Sequence, residues 1–537
     1  MTSNILEPKK SNEVRFFTFN VNGIRTLFQH YPFSRQNGSL SQIFQSFKSD
    51  IVTLQELKID RDAVAKWGRL DNYYSFISIP SKRRGYSGVG CWVRIPDASD
   101  PNKNSLKVIK AEEGITGVLK IRVDGRLVSY RSDSSVGIGG YEELPFQDDT
   151  EAEELDSQGR CVIIELACNI VIISTYCPAN SSNSDEGELF RLKYLRILFK
   201  RIRNLKNAGK SVVLMGDINI CRDLIDHGKA LKYNGIVIRD LNCGNVIEDK
   251  YRRQAFEFIA HPTMQGRRML NEMLADSIDP VLRRTGILVD TTRLIQGRNR
   301  LKMYTVWSTL RNSRPVNYGS RIDYILVTEE LQDRVKKGNI CPDVMGSDHC
   351  PVFMDLSVEG LHNVEEHQYF IPKFESRFRY NLAHESITDM FKKRRIEVNG
   401  TSAHIENLGN ENINAKTYKT LKVTQGDTPT ISKFLQQSSS SQLPRKDTIS
   451  VIEESRMIDN NSKYQRKHDD AKKRSPVKSM NCIEAYFGKP PVCKHGEDAV
   501  LRTSKTSTTF GKRFWTCKRP RGDKGNEEAS CGFFQWK

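Results

Sequence analysis

Short runs of β-branched and apolar residues, separated by polar turns, recur from Val14 to Gly360. This rhythm constrains the chain more than any other feature. The runs are Arg15–Phe19, Ile51–Leu54, Gly88–Val93, Cys161–Leu166, Ile170–Thr175, Ser211–Met215, Arg321–Val327 and Pro351–Leu356. Each has the length of a strand and is too short for a packed helix. Helical spacing appears between them, over Gly187–Lys206 and Arg267–Leu274. Strands dominate and helices intervene irregularly. That order predicts an α/β (α+β) sandwich, with two sheets face to face and helices outside. One segment interrupts the rhythm: Glu142–Asp156 holds eight acids and no base. It reads as an exposed, solvated loop inserted between strands.

Composition matters where the rhythm stops. Only 38% of the 537 residues are hydrophobic and the mean hydropathy is −0.54, so part of the chain is not expected to pack. Asn381–Ser475 has four aromatics (Phe391, Tyr418, Phe434, Tyr464) in 95 residues and a serine run at Ser438–Ser441. Such a segment buries too little apolar surface to offset its chain entropy. The predicted organisation is a tail over 1–13, a folded unit over 14–360, a mostly disordered linker over 361–475, and a small folded unit over 490–537. The linker carries basic clusters at Lys392–Arg395 and Lys472–Arg474, readable either as nuclear import signals or as solvated charge.

Lysine and arginine number 83 against 65 acids, a net charge of +18. That favours a polyanionic partner, nucleic acid before membrane. The longest apolar stretch, Cys161–Thr175, is broken by Glu165 and Asn169, so no spanning helix is expected. Met1–Lys10 is polar and lacks an apolar signal core; a soluble, non-secreted protein is expected. The twelve cysteines then read as free thiols and metal ligands, not as a disulfide framework.

Four polar clusters sit at predicted strand ends: Phe19-Asn20-Val21-Asn22-Gly23, Leu54-Gln55-Glu56-Leu57-Lys58, Met215-Gly216-Asp217-Ile218-Asn219, and Gly346-Ser347-Asp348-His349-Cys350-Pro351, the last preceded by Arg321-Ile322-Asp323-Tyr324. A single Asp or Asn at a strand end is usually a turn former. Four such clusters together supply hard oxygen ligands for a divalent cation, a carboxylate to activate water, and amide and imidazole donors for a phosphate.

In this order the clusters resemble the endonuclease/exonuclease/phosphatase superfamily, and in detail its exonuclease III-type AP endonucleases. Residues 19–25, 54–58 and 347–351 carry the likeness, which spans about 345 residues. Tyr176, in Ser174-Thr175-Tyr176-Cys177-Pro178, stands where the phosphoinositide phosphatases and secreted nucleases of the superfamily tend to have histidine. The resemblance implies a four-layer sandwich and a Mg²⁺-dependent nuclease, with Mn²⁺ as a substitute. It implies Glu56 as the main metal ligand, with Asn22, Asp217, Asn219, Asp348 and His349 also near the ion. Asp217 would orient or deprotonate water, helped by Asn219. His349, oriented by Asp323, would face the scissile phosphate, with Tyr176 and Asn20 contacting it. Arg25, Lys58, Trp307 and Arg321 would contact substrate. Departures from the first branch of these enzymes are Ser320 in place of a pocket tryptophan, Val306 beside Trp307 in place of an aromatic pair, and Ala179 displacing Asn180 by one position.

The tail refines the resemblance. Cys493-x-His495, 21 residues, Cys517, 13 residues and Cys531 form one Cys₃His set with the spacing of a structural Zn²⁺ site. Gly511-Lys512-Arg513-Phe514-Trp515 between them is similar to the GRF zinc finger, and the whole layout resembles the second branch of eukaryotic AP endonucleases, from a fungus. Residues 476–537 hold 12 Lys and Arg against 6 acids. Arg513, Trp515, Lys518 and Arg519 are expected to bind single-stranded DNA through phosphate neutralisation and base stacking. Ile483, Tyr486 and Phe487, within 478–489, resemble a motif that docks on the PCNA sliding clamp. The implied function is nuclear base excision repair by a monomer with no membrane partner: incision 5′ to abasic sites, 3′-phosphodiesterase and 3′–5′ exonuclease. The competing readings are a superfamily phosphatase or RNA deadenylase, and a non-catalytic repair scaffold.

Overall fold

The computed structural model describes residues 6–30, 33–35, 38–181, 184–361, 371–382, 491–504, 509, 513–519 and 529–536. They belong to two compact units, within Met1–Glu411 and Asn412–Lys537.

In the first unit, one six-stranded sheet contains β1 (Glu13–Asn20), β2 (Ile51–Gln55), β3 (Tyr73–Ser78), β4 (Val89–Arg94), β15 (Val335–Ile340) and β16 (Val352–Ser357), in the order β15-β16-β1-β2-β4-β3. The second contains β5 (Val108–Glu113), β8 (Cys161–Leu166), β9 (Ile170–Tyr176), β10 (Ser211–Asp217), β11 (Leu288–Asp290) and β14 (Asp323–Thr328), in the order β11-β14-β10-β9-β8-β5. Two short ladders complete the unit: β6 (Lys120–Val123) with β7 (Arg126–Ser129), and β12 (Val306–Trp307) with β13 (Gly319–Ser320).

Alternation along each strand builds the layers. Phe16, Ile51 and Met354 of one sheet pack against Ile164, Ile172, Val213 and Ile325 of the other. Their neighbours point the opposite way. Phe17, Val52 and Trp92 meet Phe44, Phe47 and Trp67 of the helices Leu40–Phe47 and Arg61–Gly68. Ile173, Leu214 and Leu326 meet Leu195, Leu198, Ile202 and Leu270 of the helices Asp185–Asn207 and Gln265–Met273. This is the four-layer sandwich implied by the resemblance. No helix among the described residues is long and apolar enough to cross a membrane.

Two boundaries differ from the sequence reading. Glu142–Asp156 is not an unpacked loop: Asp149–Asp156 is a helix whose Ala152 and Leu155 are buried. Asp156 is buried too, and accepts hydrogen bonds from the backbone N–H groups of Ile115 (2.6 Å) and Thr116 (3.1 Å). Burial pushes its carboxyl up to about 6. Local charge count concealed a one-sided helix with Ala152, Leu155 and Asp156 on its inner face. Nor does the packed unit stop at 360. Residues 371–382 run along the edge strand β3, where the Ser75 N–H donates to Glu375 (3.3 Å), Ser376 donates to Ser75 O (3.0 Å) and Tyr380 donates to Ile77 O (2.7 Å). Phe374 joins the inter-sheet core. These side chains satisfy backbone groups that an open edge would leave to water.

In the second unit, β17 (Val500–Thr503), β18 (Arg513–Thr516) and β19 (Phe534–Trp536) form an antiparallel three-stranded sheet.

Candidate active site

Strand direction gathers the polar clusters. β1 and β2 are parallel, with Asn20 beside Gln55, so both chains leave the sheet at one edge toward Asn22 and Glu56. β9 and β10 are parallel, with Tyr176 beside Asp217. β14 runs antiparallel to β10, so its first residue, Asp323, lies opposite Asp217. β16 is antiparallel to β1, which returns the Ser347–Cys350 loop to the same edge. Gly216 makes the close approach possible: its φ is +135°, and a Cβ there would lie 2.0 Å from Thr175 O.

The side chains converge into one network. Asn20 Nδ2 donates to Glu56 Oε1 (2.9 Å) and to Asp217 Oδ2 (2.8 Å). The Asn219 N–H donates to Asp217 Oδ1 (2.9 Å), and Asn219 Nδ2 donates to Cys177 O (2.9 Å). Asn22 Nδ2 donates to Asp348 Oδ1 (2.9 Å), while Lys58 Nζ donates to Asn22 and lies 2.9 Å from Glu56 Oε2. His349 Nδ1 pairs with Asp323 Oδ2 at 2.8 Å. Asn22, Glu56, Lys58 and Asn219 all hold left-handed backbone, with φ between 47° and 54°. Non-glycine residues adopt that conformation at a cost of about 1–3 kcal/mol each; four at one sheet edge mark a site whose geometry outweighs local preference.

The electrostatics follow from the contacts. Burial raises the Glu56 carboxyl, but Lys58 and Asn20 outweigh it and hold the group below its ordinary value. Burial and the facing Asp323 push Asp217 up to about 7. For His349 burial opposes charge, yet Asp323 overcomes it and carries the imidazole up to about 10. Burial and the carboxylates of Glu56 and Asp217 raise the Tyr176 phenol, which stays a neutral donor toward Glu56.

The donor set suits a hard divalent cation. Glu56, Asp217, Asp323 and Asp348 supply carboxylate oxygens, as such ions prefer. Atoms of Asp217, Asp323 and His349 lie within 4.8 Å of one another. Asp323 Oδ1 is buried without a hydrogen-bond partner among the described residues.

Some expected contacts are placed elsewhere. Arg321 was expected to touch substrate, but it is 0% exposed, with Nη2 at 2.6 Å from Asp226 and 2.7 Å from Asp290. It belongs to a buried ionic cluster with Arg222, Asp223 and Arg293. Trp307 is buried except at a cleft of about 400 Å³ that also borders Ser347 and Asp348. Arg25 is exposed. Asn180 caps the following turn, donating to Ser184 O (2.9 Å). Sequence reasoning passed over Arg160. Its guanidinium stands 5.0 Å from the Tyr176 ring and 5.2 Å from the Tyr86 ring, and donates to Tyr176 O (3.2 Å). Only the pairing of β8 with β9 reveals it.

A family model described as the endonuclease/exonuclease/phosphatase family matches residues 17–349, and one described as the GRF zinc finger matches 491–537. The DNA-(apurinic or apyrimidinic site) endonuclease 2 of Saccharomyces cerevisiae is 49% identical, over 99% of this chain and 98% of that one. The chain belongs to the endonuclease/exonuclease/phosphatase family. Within it, the chain groups with the AP endonuclease 2 relatives, the human one being 26% identical over 97% of this chain and 99% of its own length. An exodeoxyribonuclease of Bacillus subtilis is 26% identical over 64% of this chain and its own full length. The crystal structure of the Xenopus laevis APE2 catalytic domain shares the fold, with a TM-score of 0.51 and 24% identity, covering 69% of this chain and 99% of that one.

In the second unit, Cys493, His495, Cys517 and Cys531 bring ligand atoms within 4.8 Å of one another. His495 Nδ1 lies 3.7 Å from Cys493 Sγ and 3.5 Å from Cys517 Sγ, spacings that fit the edges of a tetrahedron with Zn–S of about 2.3 Å. Burial raises the Cys517 thiol, but the backbone N–H groups of Arg519 and Cys531 outweigh it and bring it down to about 6, toward the thiolate a metal needs. The expected stacking role of Trp515 meets a correction: it is 7% exposed, whereas Phe534 and Trp536 are 52% and 46% exposed. In an antiparallel ladder neighbouring side chains alternate faces, so Phe514 joins Phe534 and Trp536 while Trp515 turns inward. Arg519 pairs with Glu497 at 2.7 Å, and Lys518 is exposed. Ile483, Tyr486 and Phe487 lie outside the described residues.

Proposed function

We propose that this protein is a divalent-metal-dependent DNA repair nuclease that incises 5′ to abasic sites and removes blocked or mismatched 3′ ends. The convergence of Asn20, Glu56, Asp217 and the His349–Asp323 pair at one sheet edge carries this reading, and the names of the AP endonuclease 2 relatives support the substrate. Glu56, with Asn22, Asp217, Asn219 and Asp348 around it, would hold Mg²⁺ or Mn²⁺; His349, paired with Asp323 and protonated, faces the phosphate and is not a ligand of the ion. When bound, the cation supplies charge stabilisation for the leaving 3′ oxygen and the phosphate. Asp217, raised toward neutrality and fixed by Asn20 and Asn219, orients water and accepts its proton. His349, kept protonated by Asp323, donates to a non-bridging phosphate oxygen. Tyr176 adds a neutral donor.

Val306 and Ser320 face each other on one rung of the β12–β13 ladder. Two small side chains there leave the sugar pocket wide, so 3′-end removal should at least match abasic incision. Lys518 and the exposed rings of the finger serve single-stranded DNA, and Zn²⁺ in the Cys₃His set is structural. Residues 478–489 engage the PCNA clamp, and the protein acts as a nuclear monomer.

The test is turnover on three DNA ends (abasic, 3′-phosphoglycolate-type and recessed 3′-hydroxyl), with Mg²⁺ and with EDTA. Glu56→Ala and Asp217→Ala should each lose at least about a hundredfold, as removal of one transition-state contact does. Near-wild-type turnover in either variant overturns the site assignment, and abasic incision about a hundredfold above 3′-end removal overturns the pocket argument.

A further inference from the structure

Arg314 lies in the loop between β12 and β13, outside every motif that singled out the site. Its guanidinium is directed at four main-chain carbonyls of one other loop. Nη2 donates to Pro342 O (2.8 Å) and Val344 O (2.7 Å), and Nη1 donates to Ser347 O (2.8 Å) and His349 O (3.2 Å). Its face stacks on Trp307, 4.5 Å from the ring centroid. Trp307 in turn donates its backbone N–H to Asp348 O (3.0 Å) and its indole N–H to Asn317 (3.0 Å).

The Pro342–His349 loop needs such a hold. It carries Asp348 and His349 yet belongs to neither strand beside it, and it turns at Gly346 with φ +113°. Its inner side is fastened to β1 by Ser347 Oγ donating to Asn20 O (2.8 Å). Arg314 is the matching hold on the outer side. Carbonyl oxygens accept more strongly from a cation than from a neutral donor. The planar fork fixes several of them at once while its face rests on the indole; a lysine ammonium offers neither the fork nor the flat face.

We propose that Arg314 is the positioning residue of this site: it locks the Pro342–His349 loop so that His349 meets the scissile phosphate in the orientation set by Asp323. The proposal rests on the function argued above for His349. Arg314 acts on catalysis through the loop and not by touching DNA.

The experiment is a double-mutant cycle in the full-length protein with Mg²⁺ and abasic duplex DNA: wild type, Arg314→Lys, His349→Asn and the double variant, with Arg314→Gln as a second probe should the lysine variant fail to fold. Arg314→Lys should cut kcat at least tenfold while KM changes less than threefold and the melting temperature stays close to wild type. In the His349→Asn background the same substitution should cost less than threefold, because the residue it positions is gone. A rise in KM at unchanged kcat, an equal loss in both backgrounds, or unchanged kcat in both Arg314 variants would overturn the assignment. Wild-type turnover in His349→Asn alone would instead sink the reading of the site on which it rests.

Discussion

Arg321 is the sharpest place to separate structure from chemistry, because its position beside Asp323 suggests substrate contact and its surroundings deny it. The perturbation is Arg321→Met, close in length and without charge. In the folded protein Arg321 is wholly buried and bonds Asp226 and Asp290 at 2.6 and 2.7 Å. Asp226 retains Arg293, and Asp290 retains Arg222 at 3.0 Å. Around them, Arg298 pairs with Asp223 and Glu248. The cluster is close to charge balance, so the methionine leaves one buried carboxylate uncompensated. Breaking such a pair costs about 3–5 kcal/mol. With a urea slope of about 3 kcal/mol per M for a unit of this size, the unfolding midpoint should fall by about 1–1.7 M. Arg321 and its neighbours hold the Asp226 and Asp290 carboxyls below their ordinary values, with Asp290 at about 2. Their contribution is therefore full above about pH 4 and lost as pH falls toward 2. Without Arg321 these carboxyls accept protons more readily, so the difference between variant and wild type should shrink between pH 7 and pH 4. The assay is urea unfolding followed by tryptophan fluorescence, beside abasic incision per folded molecule. A midpoint within about 0.3 M of wild type together with lost incision would refute the reasoning and return Arg321 to the substrate.

Three further outcomes are expected. Asp323→Asn removes the carboxylate that carries His349 up to about 10; since the protonated form is lost as pH rises through the folded value, the alkaline limb of the turnover profile should move down by about two units or more, and an unmoved limb would separate His349 from it. His227 accepts a hydrogen bond from the Ala230 N–H at 3.0 Å, and burial with nearby Arg267 lowers it to about 4. Its contribution is full above about pH 6.5 and lost as pH falls toward 4, amounting to about 2 kcal/mol at pH 5; urea midpoints of wild type and His227→Asn at pH 7 and pH 5 measure it, and an equal acid loss in both would contradict it. Cys517→Ser should release the zinc of the full-length protein, measurable by elemental analysis, and weaken single-stranded DNA binding at least about tenfold while leaving abasic incision intact; unchanged zinc content would argue against the Cys₃His set.

Much of this protein is legible in its sequence. Strands such as Ile170–Tyr176 declared themselves by an apolar, β-branched run, here Ile-Val-Ile-Ile, of the kind a doubly covered sheet buries. The site residues lay in compact clusters, since each is delivered by the end of one strand and keeps its sequence neighbours. Two of the missed strands have weak patterns. β5 ends in Lys110-Ala111-Glu112-Glu113, yet Glu112 is buried against Arg201 of the helix Asp185–Asn207, 89 residues away, at 2.6 Å. β15 reads Val-Lys-Lys-Gly-Asn-Ile and is held by its ladder with β16. The helix at Asp149–Asp156 was hidden by its charge.

What the sequence alone determined is what depends on neighbours along the chain: strand runs, polar strand ends, and the Cys₃His spacing of the finger. What only the tertiary structure decided is what depends on partners far apart. Asp226 lies 95 residues from Arg321, and that distance made a solvent-facing contact and a buried ion pair indistinguishable on paper. Arg314 and Arg160 carry no local signature, because the carbonyls that Arg314 holds and the rings beside Arg160 come from segments distant along the chain. Trp515 and Phe514 are adjacent in sequence, and the pleat of β18 sends one inward and the other toward the exposed rings. A side chain's chemistry is written in its own residue, but whether it faces water, a core or an ion is set by burial and pairing across the fold, where desolvation decides which charges stay free to act.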